Sequence, residues 1–227
     1  MKLHAVFFDI AGTTVSDQGF VKEAFIRAFH RNGYTISGDE ADGVMGYKKI
    51  TAIKMIVDQN QLKWDNDLIH QVHEDFSVEM KKIYSEVEVF PLPGVIETFE
   101  WLKNKNIPFA LNTGFTRDIT NALLARLHWN ETNYAKYTIC SDEVPEGRPA
   151  PFMIQELLES FKLDNAANCI KVGDTEVDIL EGRNAGCGCV VAVTTGSYPR
   201  AILQNYSPDY IIDQMDELIN VIENNFD

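Results

Sequence analysis

No stretch of this sequence is apolar for long enough to span a membrane as a helix, which takes about 20 residues. Basic residues are scarce: 20 lysines and arginines stand against 34 aspartates and glutamates, a formal net charge of −14. Such a surface repels polyanions, so no nucleic-acid partner and no anionic-membrane partner is expected. A phosphorylated small molecule stays open, because a local pocket and a metal override the global sign. Cysteines are few. Cys140, Cys169, Cys187 and Cys189 contain no C-x-x-C pair, and Cys187 and Cys189 adjoin the apolar run 190–193, the setting of buried thiols. A reduced, cytoplasmic setting is therefore the default expectation. No internal repeat and no low-complexity segment occurs, and the start of the chain lacks the pattern of a secretory leader.

What the sequence does hold is a sizeable apolar fraction, 45% of 227 residues, enough for one medium domain or a core with a smaller insert. Short apolar runs at 4–9, 107–112, 137–141, 169–173 and 189–194 read as buried strands. Helical periodicity at 95–105, 119–128, 152–161 and 177–185 lies among them, and 209–213 reads as a last edge strand before a helix over 215–224. Strand alternating with helix implies an α/β fold, a Rossmann-like parallel sheet flanked by helices. Residues 16–87 break the alternation with helical patterns at 20–30, 39–59 and 65–84, and "VFPLPG" (89–94) restarts it. The expected organisation is a core of residues 1–15 and 88–227 with an inserted all-helical domain of residues 16–87.

Ligands of parallel sheets sit beyond the carboxyl ends of the strands, where Asp9, Thr113, Ser141, Asp174 and Thr194 or Thr195 fall. "FFDIAGTTV" (7–15) presents Asp9 at a strand end, as nucleophile, metal ligand or plain turn residue. The turn after it, Gly12 and Thr13, can aim backbone N–H groups at an anion. In "KVGDTEVDILEGRNAG" (171–186), Asp174 and Asp178 are spaced to share a face at a helix start, and with Asp9 they would make a hard oxygen site suited to Mg²⁺. Asp174 as a simple helix cap is the alternative. "LNTGFTR" (111–117) offers Thr113 and Gly114 to phosphate oxygens, or an ordinary helix N-cap at Thr113 or Thr116. "EGRPAP" (146–151) holds Arg148, a phosphate partner or a solvated loop residue. His70 and His73, with no third ligand evident, read as surface residues.

Together these segments resemble the haloacid dehalogenase superfamily, mostly phosphotransferases, in order and from residue 4 to at least 196. The resemblance implies that Asp9 is a nucleophile forming an aspartyl-phosphate and that Thr113 binds phosphate. It puts Arg148 in the place of the basic residue, and Asp174 and Asp178 in that of the metal-binding acids, with Asp9 and the Ala11 carbonyl completing the metal's ligands. The helical insert resembles that superfamily's cap. The usual second aspartate, two places after the first, is here Ala11. One branch also carries alanine there, the phosphonoacetaldehyde hydrolases, which break a C–P bond. Their chemistry demands a cap lysine that forms a Schiff base, and "VMGYKKITAI" (44–53) resembles their Met-Gly-x-x-Lys segment. This implies Lys49 as the Schiff-base residue, with Met45 and Gly46 beside the substrate. A solvated helix lysine is the bland alternative. An imine-forming amine must be neutral, so Lys49 is expected buried with a lowered pKa.

The sequence departs from that branch at Ala52, where the branch carries histidine, at Phe115, where it carries tyrosine, and near Gly19 or Phe20, where it carries a cysteine. The expected substrate is a small phosphonate or phosphate. A phosphomonoesterase is the second reading and a non-catalytic phosphate-binding protein the third. A cap-to-cap homodimer is compatible with the resemblance, and the helical pattern does not demand it.

Overall fold

The computed structural model describes residues 2–226, so the outermost positions of the expected core, 1 and 227, lie outside the described residues. The chain begins with strand β1 (Ala5–Phe8) and then runs through four helices, α1 (Phe20–Arg31), α2 (Gly38–Asp42), α3 (Lys49–Gln59) and α4 (Asn66–Glu86). Alternation follows: α5 (Val95–Asn104), β2 (Phe109–Thr113), α6 (Arg117–Arg126), the short α7 (Trp129–Thr132), β3 (Thr138–Cys140), α8 (Phe152–Phe161), β4 (Cys169–Gly173) and α9 (Glu176–Asn184). The chain closes with β5 (Cys189–Val193), the short α10 (Arg200–Leu203), β6 (Tyr210–Ile212) and α11 (Glu217–Asn225).

All six strands pair in parallel, in the order β3-β2-β1-β4-β5-β6. The expected α/β fold is therefore present. β1 is central, and both its faces are buried, which is why "AVFF" is an unbroken apolar run rather than an alternating one. Val6 and Phe8 join one core cluster, with Phe99 of α5 and Leu218 of α11. Ala5 and Phe7 join the other, with Ile154 and Leu157 of α8 and Ile179 of α9. The first cluster continues without a break into the helical insert through Val21, Phe25, Ile53, Phe76 and Met80. Phe25 of α1 and Phe76 of α4 pack with ring centroids 4.5 Å apart.

Two expectations need correction. The continuous helix expected over 39–59 is two helices, α2 and α3, separated by residues 43–48. Gly46 there has φ +80, and a Cβ on it would strike Thr175 and Val177 of the core. The apolar periodicity carries on through the break, but docking of the Met45-Gly46 loop onto the sheet overrides it. Asp174 does not cap α9; Thr175 does, in a capping box with Asp178. The four cysteines are free and buried, as expected. Among the described residues no helix is long and apolar enough to cross a membrane.

Candidate active site

β1 lies between β2 and β4, with Phe8 in register with Leu111 and Val172. Asp9 therefore leaves the sheet between Thr113, the last residue of β2, and Asp174, the first after β4. This is the switch point of a doubly wound sheet, where adjoining connections run to opposite faces. One carboxylate oxygen from each of Asp9, Asp174 and Asp178 can lie within 4.8 Å of the others, and all three residues are buried.

Each carboxylate is held differently. Arg148 Nη2 donates to Asp9 Oδ1 at 2.5 Å and to the Asn112 carbonyl at 3.1 Å, and its Nη1 pairs with Asp178. The loop reading that would leave Arg148 in solvent is wrong: it is 2% exposed. Asp174 accepts from Thr13 Oγ1 at 2.9 Å and from the Ser197 amide at 2.7 Å. Asp178 reaches back to the Thr175 hydroxyl at 2.6 Å. Burial raises the Asp9 carboxyl above its ordinary range, against the pull of Arg148. Burial, with Asp9 and Asp178 beside it, raises Asp174 well above that range. Burial opposes ionisation of Asp178 too, but Arg148 and Lys171 outweigh it and hold its carboxyl low.

Beneath this floor lies a buried layer that sequence reasoning missed. Lys171 of β4 donates to Asn112 Oδ1 at 2.6 Å and pairs with Asp178 at 3.1 Å and Glu181 at 3.0 Å. Asn112 donates to Glu181 Oε2 at 2.8 Å. The available signal was a lysine inside the otherwise apolar strand "CIKVG", since buried lysines occur almost only when paired. Arg148 and Lys171 supply two positive charges against four buried carboxylates, Asp9, Asp174, Asp178 and Glu181. Asp174 has no cation partner among the described residues and Asp9 shares Arg148 with Asp178, so the donor set is short of positive charge and fits an oxygen-seeking divalent cation.

Above Asp9 a cavity of about 360 Å³, including its mouth, is lined by Asp9, Ala11, Met45, Lys49, Phe115 and Asp174, among others. Gly46, Thr113 and Gly114 border it too, whereas Gly12, Thr13, Arg148 and Asp178 do not line it. Thr13 has its hydroxyl committed to Asp174. The Met45-Gly46 loop meets the core backbone so closely that a Cβ on Gly114 would sit 2.6 Å from the Tyr47 carbonyl oxygen. Lys48, the last residue before α3, and Lys49, its first, go separate ways. Lys48 reaches the Val144 carbonyl at 3.3 Å, while Lys49 is 3% exposed and faces the cavity.

Lys49 Nζ lies 5.3 Å from the Phe115 ring centroid and 5.5 Å from that of Phe25, and among the described residues it forms no ion pair. Burial chiefly, and then the Arg148 charge, lower its pKa to about 8. Lys49 is also the first residue of α3, where the positive end of the helix dipole disfavours an ammonium. Ala52, buried one turn on, carries no proton-transfer group.

Residues 6–192 match the family of haloacid dehalogenase-like hydrolases. The chain belongs to this family. This haloacid dehalogenase-like hydrolase is 31% identical to a phosphonoacetaldehyde hydrolase of Bacillus cereus (strain G9842), an alignment covering all of this chain and 89% of the relative. Its fold is similar to that of a hydrolase from Pseudomonas syringae, with a TM-score of 0.89 at 17% identity over 99% of this chain and 100% of that one. It is also similar to a phosphonoacetaldehyde hydrolase like protein from Oleispira antarctica, with a TM-score of 0.86 at 23% identity, covering 99% and 92% of the two chains. Both likenesses bear on the fold alone.

Proposed function

We propose that this hydrolase cleaves the C–P bond of phosphonoacetaldehyde or a closely related phosphonate, with the helical insert of residues 16–87 serving as a cap. The observation that carries the reading is Lys49, a buried amine with a lowered pKa, lining one cavity with Asp9 and Ala11. An ordinary ester needs an acid to protonate its leaving alkoxide, and Ala11 provides none. A carbon leaving group needs an electron sink instead.

Lys49 condenses with the aldehyde to give an iminium. Asp9 attacks phosphorus, and the electrons of the breaking C–P bond flow into the iminium, leaving an enamine on Lys49 and a phosphoryl group on Asp9. Arg148 orients the Asp9 carboxylate, and Arg148, Thr113 and the Gly114 amide balance charge on the transferring phosphoryl oxygens. Gly12 and Thr13 shape the turn that carries Asp9, and Met45, Gly46 and Phe115 wall the aldehyde half of the substrate. Asp9, the Ala11 carbonyl, Asp174 and Asp178 would hold Mg²⁺, which supplies Lewis-acid charge stabilisation to the phosphoryl group when bound. The full-length likeness to a phosphonoacetaldehyde hydrolase supports the same reading.

The test is to incubate the protein with Mg²⁺ and phosphonoacetaldehyde and follow acetaldehyde and phosphate together, with and without Lys49→Ala. Equal release of both products that disappears in the variant is expected. Turnover of phosphate esters that survives Lys49→Ala, with no C–P cleavage by the unaltered protein, would overturn it in favour of a phosphomonoesterase.

A further inference from the structure

Asp17 has no part in the chemistry so far, and its position is unusual. It follows the Asp9 turn and precedes α1, where its Oδ1 accepts from the Val21 amide at 3.2 Å. It lines the Lys49 cavity and also the wider groove outside, formed with Lys22, Asp42 and Gly196. Asp17, Met45 and Ser197 are shared by the two. Asp17 thus stands at the junction between the enclosed amine and water.

Imine chemistry at Lys49 needs a group in that position. The ammonium must lose a proton before attack, and the carbinolamine hydroxyl must gain one to leave as water. The other groups around Lys49 do not serve. Phe115 and Ala52 carry no exchangeable proton. Tyr84, 6.3 Å from Phe115 between ring centroids, is pushed by burial well above its ordinary pKa and stays a phenol. Asp9 is paired with Arg148 and reserved for phosphorus, and Asp174 is engaged by Thr13 and Ser197. Of the carboxylates acting on Lys49, Asp17 acts most strongly. The charged and titratable groups facing Asp17 are Lys49 of α3, Asp42 of α2, Lys22 of α1 and Tyr84 of α4; Lys22 and Asp42 pair with each other at 2.6 Å.

We infer that Asp17 is the acid–base residue of the Lys49 imine, taking the ammonium proton and returning it to the departing hydroxyl. The balance closes. Ammonium and carboxylate become amine and carboxylic acid. The amine adds to the carbonyl carbon, and one proton moves from nitrogen to oxygen to give the neutral carbinolamine. The carboxylic acid then protonates the hydroxyl, the C–O bond breaks, water leaves, and the products are iminium and the original carboxylate. Burial raises the Asp17 carboxyl above its ordinary range, which makes it a better base than an exposed aspartate.

This inference rests on the C–P reading, so the experiment separates the two. The unaltered protein, Asp17→Asn and Asp17→Glu are mixed with phosphonoacetaldehyde, quenched with borohydride at intervals, and the Lys49 adduct is followed by mass spectrometry. Asparagine keeps an acceptor for the Val21 amide, so the helix start survives. Adduct formation roughly 100-fold slower in Asp17→Asn, with the same final amount and recovery in Asp17→Glu, is expected. A rate in Asp17→Asn within about threefold of the unaltered protein, or a lower final amount at an unchanged rate, overturns the inference while leaving the C–P reading intact. No adduct in the unaltered protein overturns both.

Discussion

Asp9, Asp174 and Asp178 are gripped by Arg148, Lys171, Thr13, Thr175 and the Ser197 amide; Lys49, lining the same cavity as Asp9 and Asp174, is surrounded by Phe25, Phe115 and Ala52. Both regions are buried, so burial alone does not set their ionisation. On the floor, Arg148 and Lys171 hold the Asp178 carboxyl low and Arg148 pulls against burial at Asp9, while Asp174, with no cation of its own, is raised well above its ordinary range. On the roof, apolar side chains and a helix N-terminus surround a lysine that forms no ion pair among the described residues, with Asp17 on the same cavity wall. The low dielectric that makes an unpaired ammonium expensive makes a paired carboxylate durable. One cavity thereby sets the Asp9 carboxyl beside an amine that gives up its proton readily.

The harshest way to break the contrast is to remove the floor's reactive oxygen. Asp9→Asn should lower phosphate release by roughly 10⁴-fold or more, read in a steady-state assay, with no phosphoenzyme detected by mass spectrometry. Lys171→Met strips the floor of one cation and strands Glu181, Asp178 and Asn112. A loss of about 3–5 kcal/mol in unfolding free energy by urea titration is expected, the cost of orphaning buried charge. The mirror change on the roof should act in the opposite direction. Lys49 has a folded-state pKa of about 8 against an ordinary 10.5, so the unfolded chain binds the extra proton between those values. Stability rises with pH across that window, and the cost of burying Lys49 is fully present below about 8. Lys49→Met should therefore stabilise the protein by about 3 kcal/mol at pH 7, with the gain shrinking toward pH 10.5 while C–P turnover is lost.

A divalent cation should sharpen the floor without touching the roof. Saturating Mg²⁺, at about 100 times its Kd, should add about 2.7 kcal/mol of stability, and EDTA should reverse it. Asp174→Asn should abolish that increment. Phe115→Leu should have the smallest effect. It removes one ring that favours the ammonium by about 0.5–1 kcal/mol, so the pH midpoint for Lys49 labelling should fall by less than one unit.

The sequence announced the floor better than the roof. Asp9, Thr113 and Asp174 sit at the ends of short apolar strands, and strand ends of a parallel sheet converge by construction. Alternating apolar runs therefore located both the sheet and the carboxylates. Lys49 was legible through its partnership with Ala11 and its place in a Met-Gly-x-x-Lys segment, but the break of the helix before it was not. Helical periodicity persists across 43–48, and only contact between Gly46, Gly114 and Thr175, far apart in the chain, forces the loop. Arg148 was legible as a phosphate partner only beside a solvated alternative for the same reason: "EGRPAP" looks like surface until Asp9 and Asp178 are brought to it. Asp17 and Glu181 were ordinary acids in an acidic chain. Their special status is wholly tertiary.

The central place of β1 also fixes an order of events during synthesis. The strand that carries Asp9 is made well before one of its two neighbours: it pairs with β2 and β4, and β4 begins only at Cys169. At about 5–20 residues per second, roughly 160 residues separate the two strands by about 8 to 30 s. Throughout that interval "AVFF" has one edge with no strand to pair with, although helices α1 to α4 have already emerged beside it. The insert is thus complete while the sheet is still being made. Gathered early into the core cluster that also holds Val6 and Phe8, it would shield this apolar strand from other nascent chains until its last neighbour arrives.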